Sequence, residues 1–260
     1  MEEVENVFDP NFVPEEYRTP YDIVELPSQG LLYKNKISKV KVEYLTAMDE
    51  NILSSPNLNS KPVEMINTLL RRKVKDLGFD VTELLEGDRI SLLIFLRSSG
   101  LGEKYSQIVY DPEIADFVEG EIDLTSLKQK KMLIKPDENN EFDYILPKSN
   151  KKVKFKFLTS KEEVEVDDYD KELQKRNKDK ISNRITLRLE KSILEIDGVR
   201  DKIKISNILK NIPITDSRLL RKYVEDNEPG IDFNTKARID GGRSVDTFLR
   251  LGKNFFYPEL

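Results

Sequence analysis

Between Leu85 and Ser106 the chain reads LEGDRISLLIFLRSSGLGEKYS, and its glycines followed by Glu-Lys come nearest to phosphate chemistry of anything in the 260 residues. A Walker loop takes G-x-x-x-x-G-K-[ST]: backbone N–H groups cradle phosphates, the lysine reaches the outer ones, and the hydroxyl holds Mg²⁺. Gly102-Glu103-Lys104-Tyr105 misses twice, with Glu103 at the lysine position and no Ser or Thr following it. The order of elements is also reversed. A phosphate loop runs strand, glycines, helix, so that a helix N-terminus meets the anion. Here Gly100 and Gly102 follow an apolar helical stretch from Asp88 to Arg97 and precede an alternating one. At the negative end of a helix dipole they read as a stop and a turn.

Other chemistry is sparse. The chain has no Cys and no His, which removes disulfides, thiolate metal sites, cysteine nucleophiles, the commonest general base and the commonest zinc ligand. Carboxylate catalysis, Ser/Lys pairs and Mg²⁺ or Ca²⁺ sites stay open, but no paired-carboxylate constellation stands out. The acidic run Glu162, Glu163, Glu165, Asp167, Asp168 and Asp170 lacks EF-hand spacing and its glycine, so it reads as a solvated helix face. Lys151, Lys152, Lys154 and Lys156 around Phe155 could touch a phosphate backbone, but a lysine-protected edge strand explains them better. Asp240-Gly241-Gly242-Arg243 fits a functional loop motif and a Gly-Gly hairpin equally well. No catalytic residue, metal or cofactor is expected. A net charge of −5 with interspersed signs argues against a nucleic-acid or membrane-surface partner. No run approaches the roughly 18 apolar residues of a membrane span. The N-terminus, MEEVENVFDPNFVPEEY, is acidic and broken by proline, unlike a signal or transit peptide. These features lead us to expect a soluble protein of a cytoplasm, or of a particle assembled there.

The elements that would position such residues fall in blocks. Residues 1–20 read as a flexible arm whose Phe8, Phe12 and Tyr17 dock on a partner or wrap the chain's own domain. DIVELPSQGLLY reads as a strand and turn, SKVKVEYL as a strand, and Thr46 as the cap of a short helix. The spacing predicts an amphipathic helix from Pro62 to about Leu77, with Arg71, Arg72 and Lys73 outside. In Gly87-Asp88-Arg89, Asp88 reads as an N-cap and Gly87 as the turn into it. Arg89 opposes the dipole, so it is held by a carboxylate or reserved for a partner. The helix that follows is apolar nearly all round and reads as the central buried one. Strands are expected at KYSQIVY, at EIADFVEGEIDL with a turn at Gly120, at FDYIL and at KVKFKF. An exposed helix covers about 159–180. ITLRLEKSILEIDG fits a helix ended by Gly198 or two strands, and the helical spacing is favoured. Helices are expected at 201–211 and, capped by Thr215 and Asp216, through SRLLRKYVED, with strands around Gly241-Gly242 at the end. Such blocks argue α+β. The expectation is one discontinuous domain with a central buried helix and antiparallel strands: arm 1–20, α+β portion 21–159, mostly helical insertion 160–228, and strands 229–260 completing it.

Several stretches, taken in order, resemble the T4-type phage baseplate hub assembly proteins. They are Leu26-Pro27-Ser28-Gln29-Gly30-Leu31-Leu32-Tyr33 for LPS-x-G-x-x-Y, Val40 to Glu50 for a V-x-V-x-x-[ML]-T-x-x-[DE]-E stretch, and Asn67-Thr68-Leu69-Leu70. Gly87-Asp88-Arg89 opens the family's GDR helix, and Asp216, Arg218, Leu220 and Arg221 match D-x-R-x-L-R. Pro229, Gly230 and Asp232 match PG-x-D, and Phe255-Phe256-Tyr257-Pro258 the terminal aromatic box. The resemblance covers most of the chain after about residue 21. It implies a non-enzymatic tail-assembly protein, a component or assembly factor of the baseplate central hub, or a chaperone of the tape-measure protein that is absent from the virion. Its partners would be other tail and hub proteins. Phe8, Phe12, Arg89, Arg218, Arg221, Phe255, Phe256 and Tyr257 are the candidate partner-binding residues, with Phe255 and Phe256 also candidates for the chain's own core. Gly87, Asp88 and Asp216 are the structural motif residues. One departure concerns zinc: relatives place cysteine pairs at Asp111-Pro112-Glu113-Ile114 and near Ala237 to Gly241. Without thiolates no zinc is expected, and the two segments would be held side by side by packing. A hydrolase built on acidic residues with a metal or nucleotide is the alternative from another class.

Overall fold

The computed structural model describes residues 19–55, 62–177, 181–251 and 255–256. Phe8, Phe12 and Tyr257 lie outside them. The fold is α+β, with seven helices and antiparallel sheets among the described residues.

Strands β1 (Tyr21–Glu25) and β2 (Lys39–Glu43) pair antiparallel, and the alternation in β2 puts Val40 and Val42 in the core. Between them the chain turns at Gln29 and Gly30, both with positive φ. A Cβ at Gly30 would stand 2.5 Å from the Lys36 carbonyl oxygen, so the turn admits only glycine there. Helix α1 (Ala47–Leu53) begins with a Thr46–Asp49 capping box. Helix α2 (Pro62–Lys73) stops before the expected Leu77 because Val74 and Lys75 leave it to pair with β2 as β3 (Val74–Lys75). Helix α3 (Glu86–Leu101) runs through the centre, with Leu92, Leu93, Ile94 and Leu96 buried. Gly102, at φ 95°, ends it, whereas Gly100 is inside its last turn against Leu45.

Strands β4 (Lys104–Asp111) and β5 (Asp116–Asp123) form a hairpin paired over its whole length. The expected turn at Gly120 is corrected: Gly120 lies inside β5, and the chain reverses after Asp111, with Ala115 at positive φ. A Cβ at Gly120 would meet Val109 at 2.7 Å and Ala237 at 3.0 Å, so close packing explains this glycine. The rest of the chain supplies β6 (Lys128–Lys130), β7 (Phe142–Ile145), β8 (Lys152–Phe155), α4 (Ser160–Asn177) and α5 (Arg184–Ser192). Then come β9 (Ile193–Ile196), α6 (Lys202–Leu209), α7 (Ile214–Asn227), β10 (Gly230–Asp232), β11 (Asn234–Arg238) and β12 (Ser244–Phe248).

ITLRLEKSILEIDG is a helix only to Ser192. Its second half is β9, hydrogen-bonded to β8, and Gly198 sits in the turn that follows. Ile193 and Ile196 are completely buried in that position, so tertiary pairing overrides the helical spacing. Residues 160–228 therefore contribute a strand to the β7-β8-β9 sheet as well as helices. The C-terminal strands join the 104–123 hairpin in a sheet of order β12-β11-β5-β4. One hydrophobic cluster links these layers. No helix among the described residues is long and apolar enough to cross a membrane.

Candidate functional site: the Asp88 junction

The resemblance-bearing residues from distant parts of the chain meet at the start of α3. Asp88 is not the N-cap; Leu85 holds that position and Asp88 is the third helical residue, with a completely buried side chain. Ser28 donates to it through its backbone N (2.8 Å) and its hydroxyl (2.5 Å), and the Tyr33 hydroxyl donates at 2.6 Å. The same Tyr33 oxygen accepts from the Leu85 N–H at 2.9 Å. Burial raises the Asp88 pKa, and the hydrogen bonds from Ser28 and Tyr33 pull the other way. Burial, then the Asp88 charge, pushes the Tyr33 phenol upward as well. The positive end of α3 adds support for the carboxylate. Both oxygens are taken by donors from the β1–β2 connection, so the group acts as a tie and has no free lone pair directed at solvent for base catalysis.

Gly87 is likewise not a turn residue. A Cβ there would lie 1.9 Å from the Pro229 carbonyl oxygen and 2.7 Å from the Gly230 Cα. The glycine lets the backbones of α3 and β10 touch. Arg89 finds its partner within its own helix: Nη1 donates to Glu86 at 3.1 Å, and Ser160 Oγ donates to the other Glu86 oxygen at 2.8 Å. Arg89 is 9% exposed, and its Nε is buried without a partner. That placement corrects the expectation of a surface anchor, because its length is enclosed where α3 meets α4.

Asp216 does not cap α7 from outside; Pro213 occupies the cap, and Asp216 sits in the first turn. Burial favours its neutral form, but N–H donors from Ser149 (2.9 Å) and Lys148 (2.7 Å) outweigh that and lower its pKa. It ties the β7–β8 turn to α7. Arg218 is exposed on the same helix. Arg221 is half-buried, its Nε unpaired, beside a small cavity lined by Arg188, Leu189, Val224 and Glu228. Burial raises the Glu228 carboxyl to about 7 against the opposing pull of Arg188, 3.5 Å away. Phe255 and Phe256 are 3% and 5% exposed. Phe255 packs edge-on to Tyr105 with centroids 5.2 Å apart, so these rings close the chain's own core and the anchor role expected of them is corrected. The structure thus gathers Ser28, Tyr33, Gly87 and Asp88 with Pro229 and Gly230, but keeps Arg89, the Arg218–Arg221 pair and Phe255–Phe256 apart.

Two charge clusters were missed in the sequence. Lys73, expected outside, is 4% exposed and lies 2.5 Å from the inaccessible Asp49, which also takes Arg72 at 3.0 Å. Burial alone would raise the Asp49 pKa, yet Lys73, Thr46 and Arg72 together hold it at about 2. The Thr46–Asp49 capping pattern was the available signal, but nothing local pointed to Lys73. The second cluster stands where the resemblance places cysteine pairs. Arg243 reaches Asp111 at 2.7 Å and Glu113 at 2.6 Å, joining the β4–β5 turn to the β11–β12 turn. No group of three metal-ligating side chains is arranged for a metal ion among the described residues. No protein-family model, curated protein or solved structure matches the chain.

Proposed function

We propose that this chain is a non-enzymatic tail-assembly protein of a contractile-tailed phage, acting at the baseplate central hub by binding other proteins. The observation that carries the reading is the convergence of motif pieces scattered over some two hundred residues. Ser28 and Tyr33 of the first motif grip Asp88 of the second, whose Gly87 accommodates the Pro229–Gly230 turn of a third. Residues that touch one another across such distances are what a shared fold retains, so their joint presence supports the resemblance more than any piece does singly. The same bonds leave the most suggestive polar residues occupied inside the molecule. Binding then falls to its exterior, where a rigid frame presents side chains to a partner at low entropic cost. The chain would work in the host cytoplasm during assembly.

Affinity purification of the tagged full-length chain from infected cells tests the reading. Co-purification with hub or tape-measure proteins is the expected result. Host metabolic enzymes as the sole partners would overturn it, as would Mg²⁺-dependent ATP or GTP turnover abolished by Asp88→Ala.

A further inference from the structure

Five aromatic rings are well exposed among the described residues: Tyr21, Tyr110, Phe117, Tyr169 and Phe248. Three of them, Tyr110, Phe117 and Phe248, line a single groove of about 480 Å³ between β4 and β12. Tyr110 and Phe117 oppose each other across the β4–β5 ladder, edge to face, at 5.4 Å. Phe248 stands on the other rim, held edge-on by Phe233 at 5.5 Å. The buried Val109 and Val245 also line the groove.

The walls are two sheet edges. Among the described residues β4 pairs only with β5 and β12 only with β11, yet the sheet curls so that the two edges face each other. Among the described residues, the hydrogen bonds across the gap are made by side chains. Gln107 donates to the Phe248 carbonyl and accepts from the Arg250 N–H, each at 3.0 Å, at one end. Arg243 reaches Asp111 at the other. Between these ties the outer edge of β12 has no backbone partner among the described residues. A bare edge beside aromatic side chains is the arrangement that takes up an added strand, with main-chain hydrogen bonds for affinity and alternate side chains for specificity.

We propose that this groove binds an extended segment of a partner polypeptide, which adds a strand along β12 and seats apolar side chains against Tyr110, Phe117 and Phe248. Charge specifies the segment further. Asp111 and Glu113 share one guanidinium; among the described residues Asp246, opposite Lys236 in the β11–β12 ladder, has no ion pair within 4 Å, and neither has the Arg250 side chain at the far end. The fitting segment carries a basic residue toward Asp246 and Glu113, an acidic one toward Arg250, and apolar residues between. A second copy of this chain is disfavoured. Antiparallel pairing of two Ser244–Phe248 strands centres on Asp246 and sets its carboxylate against its own copy, which is destabilising. The inference goes beyond the assembly reading and does not depend on it.

The test is selection of a displayed random heptapeptide library against the purified full chain. Recovered peptides are expected to alternate β-branched or aromatic residues with polar ones and to include a basic residue. A synthetic winner should shift the amide NMR signals of residues 244–248, and Asp246→Lys should turn the selection toward acidic peptides. Binding should fall at least tenfold with Phe117→Ser plus Phe248→Ser, both exposed positions, and equally when alternate peptide nitrogens are N-methylated. No enrichment, binding that survives N-methylation, shifts confined to another face, or self-association through β12 would each overturn the proposal. Failed purification of hub proteins alongside successful peptide selection would sink the assembly reading alone.

Discussion

At the scale of single residues, the buried polar groups carry the clearest expectations. Removing the Tyr33 hydroxyl deprives Asp88 of one donor and leaves the Leu85 N–H without its acceptor inside the protein. Tyr33→Phe is therefore expected to lower stability by about 2 kcal/mol, within the range for orphaning a buried hydrogen-bonding group, measurable by urea unfolding. Asp49→Asn strands the buried Lys73 ammonium, and a loss of about 3 kcal/mol is expected from the cost of an unpaired interior charge. Because the Asp49 pKa lies below its unfolded value, its contribution is present above about pH 4 and is lost as pH falls through about 2. Glu228 has the opposite sign. Its folded pKa of about 7 lies above the unfolded value, so ionisation costs stability at high pH and the cost is relieved as pH falls from about 7 toward 4.5. Glu228→Gln should raise the melting temperature at pH 8 and leave it nearly unchanged at pH 5; equal effects at both would contradict the assignment.

At the scale of elements, contacts between backbones decide what is tolerated. Gly87→Ala places a methyl group inside the Pro229 carbonyl, so α3 and β10 must separate. A loss of 3 kcal/mol or more is expected, far beyond the helix-propensity gain of about 1 kcal/mol from replacing glycine with alanine; thermal unfolding would show which dominates. Most elements could be read in the sequence, because amphipathic spacing, the Thr46 capping box and the alternating β2, β4 and β8 are local signals. The misreadings have a common physical origin. Gly87 and Gly120 look like turn glycines but are fixed by contacts with Pro229 and with Ala237, more than a hundred residues away. Ile193–Ile196 keeps helical spacing and is a strand because β8 offers it a buried edge. At the Asp88 junction the importance of Gly87 and Asp88 was visible, but their donors and neighbours were not, since Ser28, Tyr33 and Gly230 come together only in three dimensions. Lys73 shows the same limit: its charge suggested solvent, and its destination was an interior carboxylate.

At the scale of the whole molecule, a few side chains fasten the middle of the chain to its C-terminal strands. Arg243 joins Asp111 across 132 residues. Arg243→Met keeps the bulk but leaves the inaccessible Asp111 carboxylate without its cation, and a loss of about 2 kcal/mol is expected for a partly exposed partner of a buried charge. Double-mutant measurement with Asp111→Asn should recover part of that loss; strict additivity would mean the pair is not coupled.

The Gln107 bridge has a consequence for how the protein is made. Its two bonds to Arg250 and Phe248 span 143 and 141 residues. A ribosome adding 5–20 residues per second needs on the order of 10–30 s to synthesise that interval. From Asp123 onward the β4–β5 hairpin has all its residues, with Tyr105, Val109 and Ile122 lacking the strands and rings that later cover them. The nascent chain therefore carries a sticky, unfinished sheet for about half of its own translation, and the yield of soluble protein should depend on elongation speed and on chaperones that shield that hairpin until residue 250 emerges.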